Sequence, residues 1–392
     1  LGYVLGFVAG CGGAARPFVA PGGSAAPASD LANAKPATPP SSPSETHPGS
    51  SPTDPRIVDL DTIRIQVISR SPAGETEMTS VATADLFNGA SAAWKDGRGE
   101  EAIGSFRRLV AEFPDSLYSP LALHNIAAIY DQRGDLDSTF TTLRELIAAY
   151  PASRKSVEGH LYIAAILAER KRWLAAITTL DQALARNNFT YEDRVEALAR
   201  KGYAQLELGQ LDAADSSLTA AVAEWQKAPR VEDPYFIAMA QYYRGEVAHR
   251  RFLAVKVELP DDNLGKSLAA KEALSSTAYD CWRDALTHRH AYWATASGYK
   301  MSQVFFELWE ATVKAPYPTA MSVSARPPYV AEVHDRVRPQ LEKALAGHKM
   351  NVQLAEAYGV TTSWSEASKT RVLQIMEILA KEAERQYVQP GP

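Results

Sequence analysis

The sequence predicts an all-α protein, a solenoid of antiparallel helix pairs, preceded by a disordered N-terminal tether and a short strand-like segment. Three observations carry that prediction. Gly97, Gly134, Lys171 and Gly209 hold one register position in four successive units, at steps of 37, 37 and 38 residues. A fixed period of this size marks a helical solenoid, because one helix pair cannot bury its apolar face alone and must stack on copies of itself. Apolar residues make up 46% of the chain, and Ala and Leu dominate them, as suits helices packed on helices. Between Cys11 and Arg56, by contrast, Ala, Pro, Ser and Gly prevail and almost nothing large and apolar occurs.

Residues 1–11 read LGYVLGFVAGC. The stretch carries no charge and ends in small residues before Cys11. It resembles a bacterial lipoprotein signal, in which the cysteine thiol is lipidated and becomes the new N-terminus. A secretory signal opens with a basic segment; none is present and the chain opens on Leu, so the expectation is that residues precede it. Eleven residues fall short of the ~20 needed to span a bilayer, so a lipidated Cys11 would anchor the protein to a membrane surface through its acyl chains. Gly12 and Gly13 follow instead of an Asp, which by the lipoprotein resemblance implies the outer membrane, facing the periplasm. The alternative is a short apolar stretch with an ordinary buried cysteine.

Residues 12–55 cannot bury enough apolar surface to offset their ordering entropy and are expected to form a disordered tether. Stretched, they reach at most about 145 Å; as a coil they span about 35–40 Å. Pro39-Pro40 is weak ground for a recognition segment, and a passive spacer is the preferred reading. Over residues 56–80 the texture changes. Ile57, Val58, Leu60, Ile63, Ile65, Val67 and Ile68 favour an extended strand, packed on the first helix or paired with a partner's edge. Ser71–Ser80 is polar and reads as a loop.

Residues 81–228 hold four repeats. The first helix of each unit runs up to the turn residue and the second follows it. Ala102, Phe106 and Pro114 follow Gly97; Tyr130 precedes Gly134, with Leu143 and Pro151 after it; Trp173, Ala176 and Leu180 mark the third unit; Gly202, Gly209, Leu211, Ala214 and Leu218 mark the fourth. A small residue, a large apolar residue four later and a proline eight further on resembles the tetratricopeptide repeat family. The copies are degenerate: Thr139 replaces the small residue in the second unit, and Asn188 stands where the third would have proline. Steps of 37 and 38 exceed that family's usual 34. Truncating Phe106 or Leu143 to Ala at a helix seam is expected to cost about 2–5 kcal/mol.

The resemblance implies a groove lined by the first helices that takes an extended peptide or a partner helix. Asn88, Asn125, Tyr162, Lys201 and Gln205 are the contact candidates; for any one of them, a merely solvated surface position is the simpler reading. Residues 229–387 are expected to hold divergent helical repeats and a cap, and residues 388–392 a tail. Asp233-Pro234 is a good helix start, with a helix to about Val255, a loop over Val257–Leu264, and helices over Lys266–Thr287 and Ala291–Val313. On the last, Tyr292, Ala296, Tyr299, Phe306, Trp309 and Val313 form one stripe, read as core. A proline-rich break follows, then a helix over Tyr329–Ala346 and a short one between Gly347 and Gly359. Ser363-x-x-Glu366 reads as a capping box opening the last helix, with Val372, Ile375, Met376 and Leu379 inward.

No phosphate loop, G-x-S-x-G or H-E-x-x-H motif occurs. His288 and His290 on a helix would point about 200° apart. His124 and His160 fall in successive first helices, but a metal there would lack two ligands. Cys281, between Ala278 and Trp282, reads as a buried inert thiol, and two cysteines make no disulfide framework. Net charge of −5 advertises no nucleic acid. No catalytic residue, cofactor, metal or small-molecule substrate is therefore expected. The leading expectation is a non-enzymatic, lipid-anchored adaptor holding a protein or peptide partner in the cell envelope. Lipoproteins of this repeat family serve barrel assembly, secretion, motility and division, and the sequence does not choose among them. The alternatives are an envelope enzyme, such as one acting on peptidoglycan, and a self-associating structural subunit.

Overall fold

The computed structural model describes residues 63–70, 76–228 and 233–390. The expected lipidation site at Cys11 and the tether over 12–55 lie outside these residues. Among the described residues are two strands, β1 (Ile63–Arg70) and β2 (Thr76–Ala82), and thirteen α-helices. The helices form antiparallel pairs of the tetratricopeptide type, and they fall into two compact units.

The first unit holds β1, β2, α1 (Thr83–Lys95), α2 (Gly99–Glu112), α3 (Tyr118–Gln132), α4 (Leu136–Ala149) and α5 (Arg154–Glu169), with Arg186–Asn188. β1 and β2 pair antiparallel, Ile63 against Ala82 and Arg70 against Thr76, with an irregularity between Val67 and Ser69. The loop expected up to Ser80 is thus a strand from Thr76 onward. Its Thr76, Thr79 and Val81 are β-formers, and a ladder to β1 supplies the partner that a lone strand lacks.

Each turn residue closes its helix in the left-handed region: φ is 78° at Gly97, 75° at Gly134, 56° at Lys171 and 75° at Gly209. The amide after each glycine bonds back five residues, as Arg98 N–H does to the Ala93 carbonyl at 2.8 Å and Asp135 N–H to that of Tyr130 at 3.0 Å. These bonds satisfy carbonyls that the helix end would leave bare. Lys171 makes the same turn without glycine's freedom. Phe106, Leu109, Leu143 and Leu146 are fully buried, as expected of the seam residues. One repeat is tied to the next through Tyr150 Oη, which donates to the Pro114 carbonyl at 2.9 Å. Arg186 and Asn188 do the same for the Pro151 carbonyl, at 2.6 and 3.2 Å, so Asn188 replaces a proline with a hydrogen bond.

The second unit holds α6 (Trp173–Leu184), α7 (Tyr191–Glu207), α8 (Leu211–Lys227), α9 (Tyr235–Ala254), α10 (Asp261–Thr287), α11 (Ala291–Val313), α12 (Arg326–Ala357) and α13 (Ser363–Ala383). Helices α7, α9, α11 and α13 stand side by side in that order, while α8, α10 and α12 pack behind them. The pairs cross closely. A Cβ on Gly202 would come within 2.5 Å of Leu218 Cγ, one on Gly245 within 2.5 Å of Trp282 Cδ1, and one on Gly298 against Asn351. Gly202 lies seven residues before its turn, the position held by Ala90, Ala127 and Ala164 in the earlier units. The second helices lengthen, to 27 residues in α10 and 32 in α12.

Several expected boundaries move. α10 starts at Asp261 with Pro260 as its cap, so the segment read as loop through Leu264 contributes the first helical turn. α12 runs unbroken through Gly347, where two helices were expected. Gly347 does not stop the helix because it is a contact point: a Cβ there would strike Ser302 of α11. The last helix is capped one residue early, by Thr362, whose hydroxyl accepts from Ser365 N–H while the Ser365 side chain reaches back. Ile375 is fully buried against Phe306, Trp309, Val313, Leu341 and Ala344, but Met376 is 48% exposed and is not part of the inward face.

A buried pair closes the C-terminal end. His334 of α12 and Glu382 of α13 have side chains only 1% and 2% exposed. His334 Nδ1 lies 2.6 Å from Glu382 Oε1 and its Nε2 lies 2.9 Å from the Val388 carbonyl. Burial pushes the His334 pKa down, but the two hydrogen bonds and the Glu382 charge outweigh it, and the net direction is up.

Candidate functional site

The candidate surface is the face of the first helices, which in a stack of pairs is the face not covered by the second helices. In the first unit it is carried by α1, α3 and α5. Asn88, Asn125 and Tyr162 each stand nine residues before their turn residue. Asn88 is exposed, Asn125 is 1% exposed, and Tyr162 is half-buried. Tyr162 Oη donates to Asp131 Oδ2 at 2.7 Å, which ties α5 to α3 across the face. Around it, Glu158 accepts from Lys155 Nζ at 2.6 Å, with Arg154 Nε at 3.7 Å and His124 Nε2 at 3.8 Å. Burial, with Lys155 adding to it, pushes the His124 pKa down to about 4, so this imidazole is neutral at pH 7. His160 is occupied otherwise: its Nδ1 lies 2.9 Å from the Ser156 carbonyl. Among the described residues no group of three or more His, Cys, Asp or Glu could hold a metal.

In the second unit the position nine before the turn is Arg200, one residue ahead of Lys201. Lys201 Nζ pairs with Asp181 at 2.6 Å. Gln205 is 8% exposed, and its Oε1 accepts from Ser217 Oγ of α8 at 2.7 Å, so it faces the second helix of its own pair. Arg200 Nε donates to the buried Glu196 at 2.7 Å, and its guanidinium lies 4.9 Å from the Phe236 ring centre, a cation–π distance. The charges next along are also paired. Lys300 meets Glu246 at 2.9 Å, Arg250 meets Glu207 at 2.7 Å, and His249 Nε2 meets Glu307 at 2.5 Å. Burial alone would raise the Glu307 pKa; the His249 bond and charge, with Gln303 and Lys300, turn it downward.

What sets this face apart is its rings. Tyr203 of α7 meets Tyr243 of α9 at 4.6 Å between centres. Tyr243 and Tyr242 meet Trp293 of α11 at 5.7 and 5.1 Å. Trp364 of α13 lies 6.3 Å from Tyr242 and 5.5 Å from Tyr299. Tyr203, Tyr242, Tyr243 and Trp293 are buried, whereas Tyr235, Tyr292, Tyr299 and Trp364 are half-buried. Burial raises the pKa of Tyr242, Tyr243 and Tyr292, so these hydroxyls stay protonated donors. The stripe read as core on α11 therefore divides: Ala296, Phe306, Trp309 and Val313 are buried, and Tyr292 and Tyr299 are half-buried. The signal available in the sequence was the run of tyrosines at 235, 242, 243, 292 and 299, more polar than a sealed core prefers.

His288 and His290 do not share a helix. They cap α10 and α11 on either side of Arg289, which adopts φ 57°. Cys281 is half-buried, and burial pushes its thiol pKa up, away from nucleophilic use. No helix of the described residues is long and apolar enough to cross a membrane.

Residues 86–116 and 121–153 match the tetratricopeptide repeat family model. Those spans coincide with the pairs α1/α2 and α3/α4. No curated protein matches the chain. Among solved structures, one titled MamA RS-1 ArsTM double mutant is similar at 15% identity over 50% of this chain and 94% of its own, with a TM-score of 0.33. A tetratricopeptide repeat protein from Parabacteroides merdae is similar at 13% identity over 75% of this chain and 98% of its own, TM-score 0.33. The P58(IPK) TPR domain is similar at 12% identity over 76% and 99%, TM-score 0.18. Whole-chain superposition is poor at such scores; the repeat assignment rests on the family match and on the helix pairing inside each unit.

Proposed function

We propose that this chain, which is a tetratricopeptide repeat protein and as such a protein-interaction scaffold, is a non-enzymatic adaptor that holds a protein or peptide partner against its first helices. Lipidated at Cys11, it stands at the periplasmic face of the outer membrane. One observation carries the adaptor reading. Neighbouring first helices are bonded side by side, as Tyr162 is to Asp131, so they present one shared face rather than isolated ridges. The charges on that face largely neutralise each other, which suits holding a chain more than proton transfer. The anchor reading is supported by Val8-Ala9-Gly10-Cys11 and by the glycines that follow.

A photo-crosslinker at Asn88, compared with one at Glu112 on the second helix, tests the adaptor in cells. A discrete protein adduct from Asn88 and none from Glu112 is expected; equal adducts or none from Asn88 overturn the reading. Cys11→Ala in the precursor should shift the protein from the membrane fraction to the soluble one, and unchanged membrane retention overturns the anchor.

A further inference from the structure

The exposed aliphatic residues of the second unit are not scattered. Of the ten large apolar residues exposed among the described residues, five lie at the turns that lead into second helices: Leu174 at the start of α6, Leu208 before α8, Leu253 and Leu259 before α10, and Val323 before α12. Side-chain contacts join these turns into one rim. Trp173 packs on Tyr203 of α7 at 5.4 Å between ring centres. Arg250 of α9 donates to the Leu206 carbonyl at 2.6 Å, and Arg251 meets Asp212 of α8 at 2.6 Å. Asp261 accepts from both N–H and Oγ1 of Thr319 at 3.0 Å, which ties the α9–α10 turn to the α11–α12 turn. The opposite rim of this unit, where second helices turn into first ones, exposes only Tyr191 of the same set.

The charges on this rim divide unequally. Most acids are engaged: Glu207 meets Arg250 at 2.7 Å, Asp215 meets Arg251 at 3.5 Å, and Glu258 lies 3.8 Å from Lys256. Asp262 has no cation, but it sits in the first turn of α10, where the helix dipole favours it. Lys171 and Arg172, both exposed and next to Leu174, have no anionic partner among the described residues. Free cations beside raised aliphatic side chains are the complement of a phospholipid surface. Phosphates take the cations, and the boundary beneath the headgroups takes the apolar tips. A protein would need a pocket matched to each separate tip; a bilayer needs no matching shape.

We propose that this rim of the second unit is a membrane-contact edge that takes the surface of an anionic phospholipid bilayer. The proposal rests on the anchor reading, which keeps the chain within reach of lipid, so that a weak contact suffices. Alone, the rim binds reversibly. Beside a lipidated Cys11 it is a second attachment, and it fixes which edge of the second unit meets the bilayer. The first helices α7, α9 and α11 run from rim to rim, so they stand end-on to the membrane and their shared face stays open to a partner.

The test is flotation of the full, unlipidated Cys11→Ala chain with vesicles of phosphatidylethanolamine and phosphatidylglycerol. Half the protein should float at about 1 mM lipid, roughly tenfold weaker than a single myristoyl chain gives. Leu174→Gln, Leu253→Gln and Val323→Gln together, at positions 66%, 56% and 73% exposed, should weaken flotation at least about tenfold with unchanged helical circular dichroism. Gln at Met350, Leu373 and Met376, exposed but off the rim, should leave it unchanged. Lys171→Ser with Arg172→Ser should weaken it about tenfold and leave the weaker binding to phosphatidylcholine as it was. No flotation at about 10 mM lipid overturns the proposal, as does equal loss from the two sets of three Gln changes. Self-association in light scattering that the rim changes abolish would give the rim to a second copy; a discrete protein adduct from a photo-crosslinker at Leu174, without flotation, would give it to a protein. Either result overturns the proposal. Flotation does not depend on a lipidated cysteine, so its failure while Cys11→Ala leaves the cellular membrane fraction sinks the rim alone, and the reverse pair of results sinks the anchor alone.

Discussion

Glu382→Gln should destabilise the C-terminal end of the second unit and erase its dependence on pH. The neighbours of His334 are both acceptors, a carboxylate at 2.6 Å and a carbonyl at 2.9 Å. A neutral imidazole has one N–H and can serve only one of them; the imidazolium serves both. The folded state therefore favours the charged ring, in line with a pKa raised above its ordinary value. The sign follows from linkage. A raised folded pKa contributes stability that is complete below the unfolded value, about 6.5, and is lost as pH rises through the folded pKa. Removing one member of a buried pair costs about 3–5 kcal/mol, because the other is left uncompensated. With both side chains almost fully enclosed, solvent screening reduces this little. Hydrogen exchange of α13 peptides, corrected for intrinsic rates, should show the native protein protected at pH 6 and less so at pH 9. The Gln variant should be weakly protected throughout, with a flat profile. A native protein that gains protection as pH rises, or a Gln variant with the native profile, would refute the reasoning.

Lys171→Gly should stabilise the protein by about 0.5–1 kcal/mol in urea unfolding, since relief of a left-handed lysine exceeds the added entropy of glycine; Gly134→Ala, the reverse change, should cost about 1 kcal/mol. Gly245→Ala drives a methyl into the fully buried Trp282 ring and should cost about 1–3 kcal/mol, with an altered near-ultraviolet circular dichroism band. Phe106→Ala should cost about 3–5 kcal/mol in thermal or urea melts, because its ring is fully buried beside Phe87 at 5.5 Å.

The repeat was legible because its signals are local. A left-handed turn demands glycine or an exception, and a seam demands a large apolar residue at a fixed offset, so Gly97, Gly134, Phe106 and Leu143 could be read in one pass. Ala291–Val313 was legible end to end for the same reason. What failed depends on distant partners. Gly347 reads as a stop until Ser302 is seen against it. Thr76–Ser80 reads as polar loop until β1 is beside it. On α11, rings at helical spacing look like core, because spacing alone does not say whether the neighbour at a given position is a helix or open surface. Asn88, Asn125 and Tyr162 share a register that the 37-residue step preserves; carried on by the 38-residue step it falls on Arg200, next to Lys201. The ring contacts of the second unit span four helices drawn from residues 191–383, and no single stretch of sequence announces them.

The bare backbone at Gly202, Gly245 and Gly298 makes the later helix pairs poor interchangeable parts. A spare copy of α3 with α4 carries its own alanine-wide clearance and could be grafted as a module. α9 fits only a partner that drops an indole onto Gly245, and α11 only one that brings Asn351 to Gly298. Recombination or design that cuts between the members of those pairs should yield chains that do not close, while cuts at the boundaries between pairs leave each lock with its key.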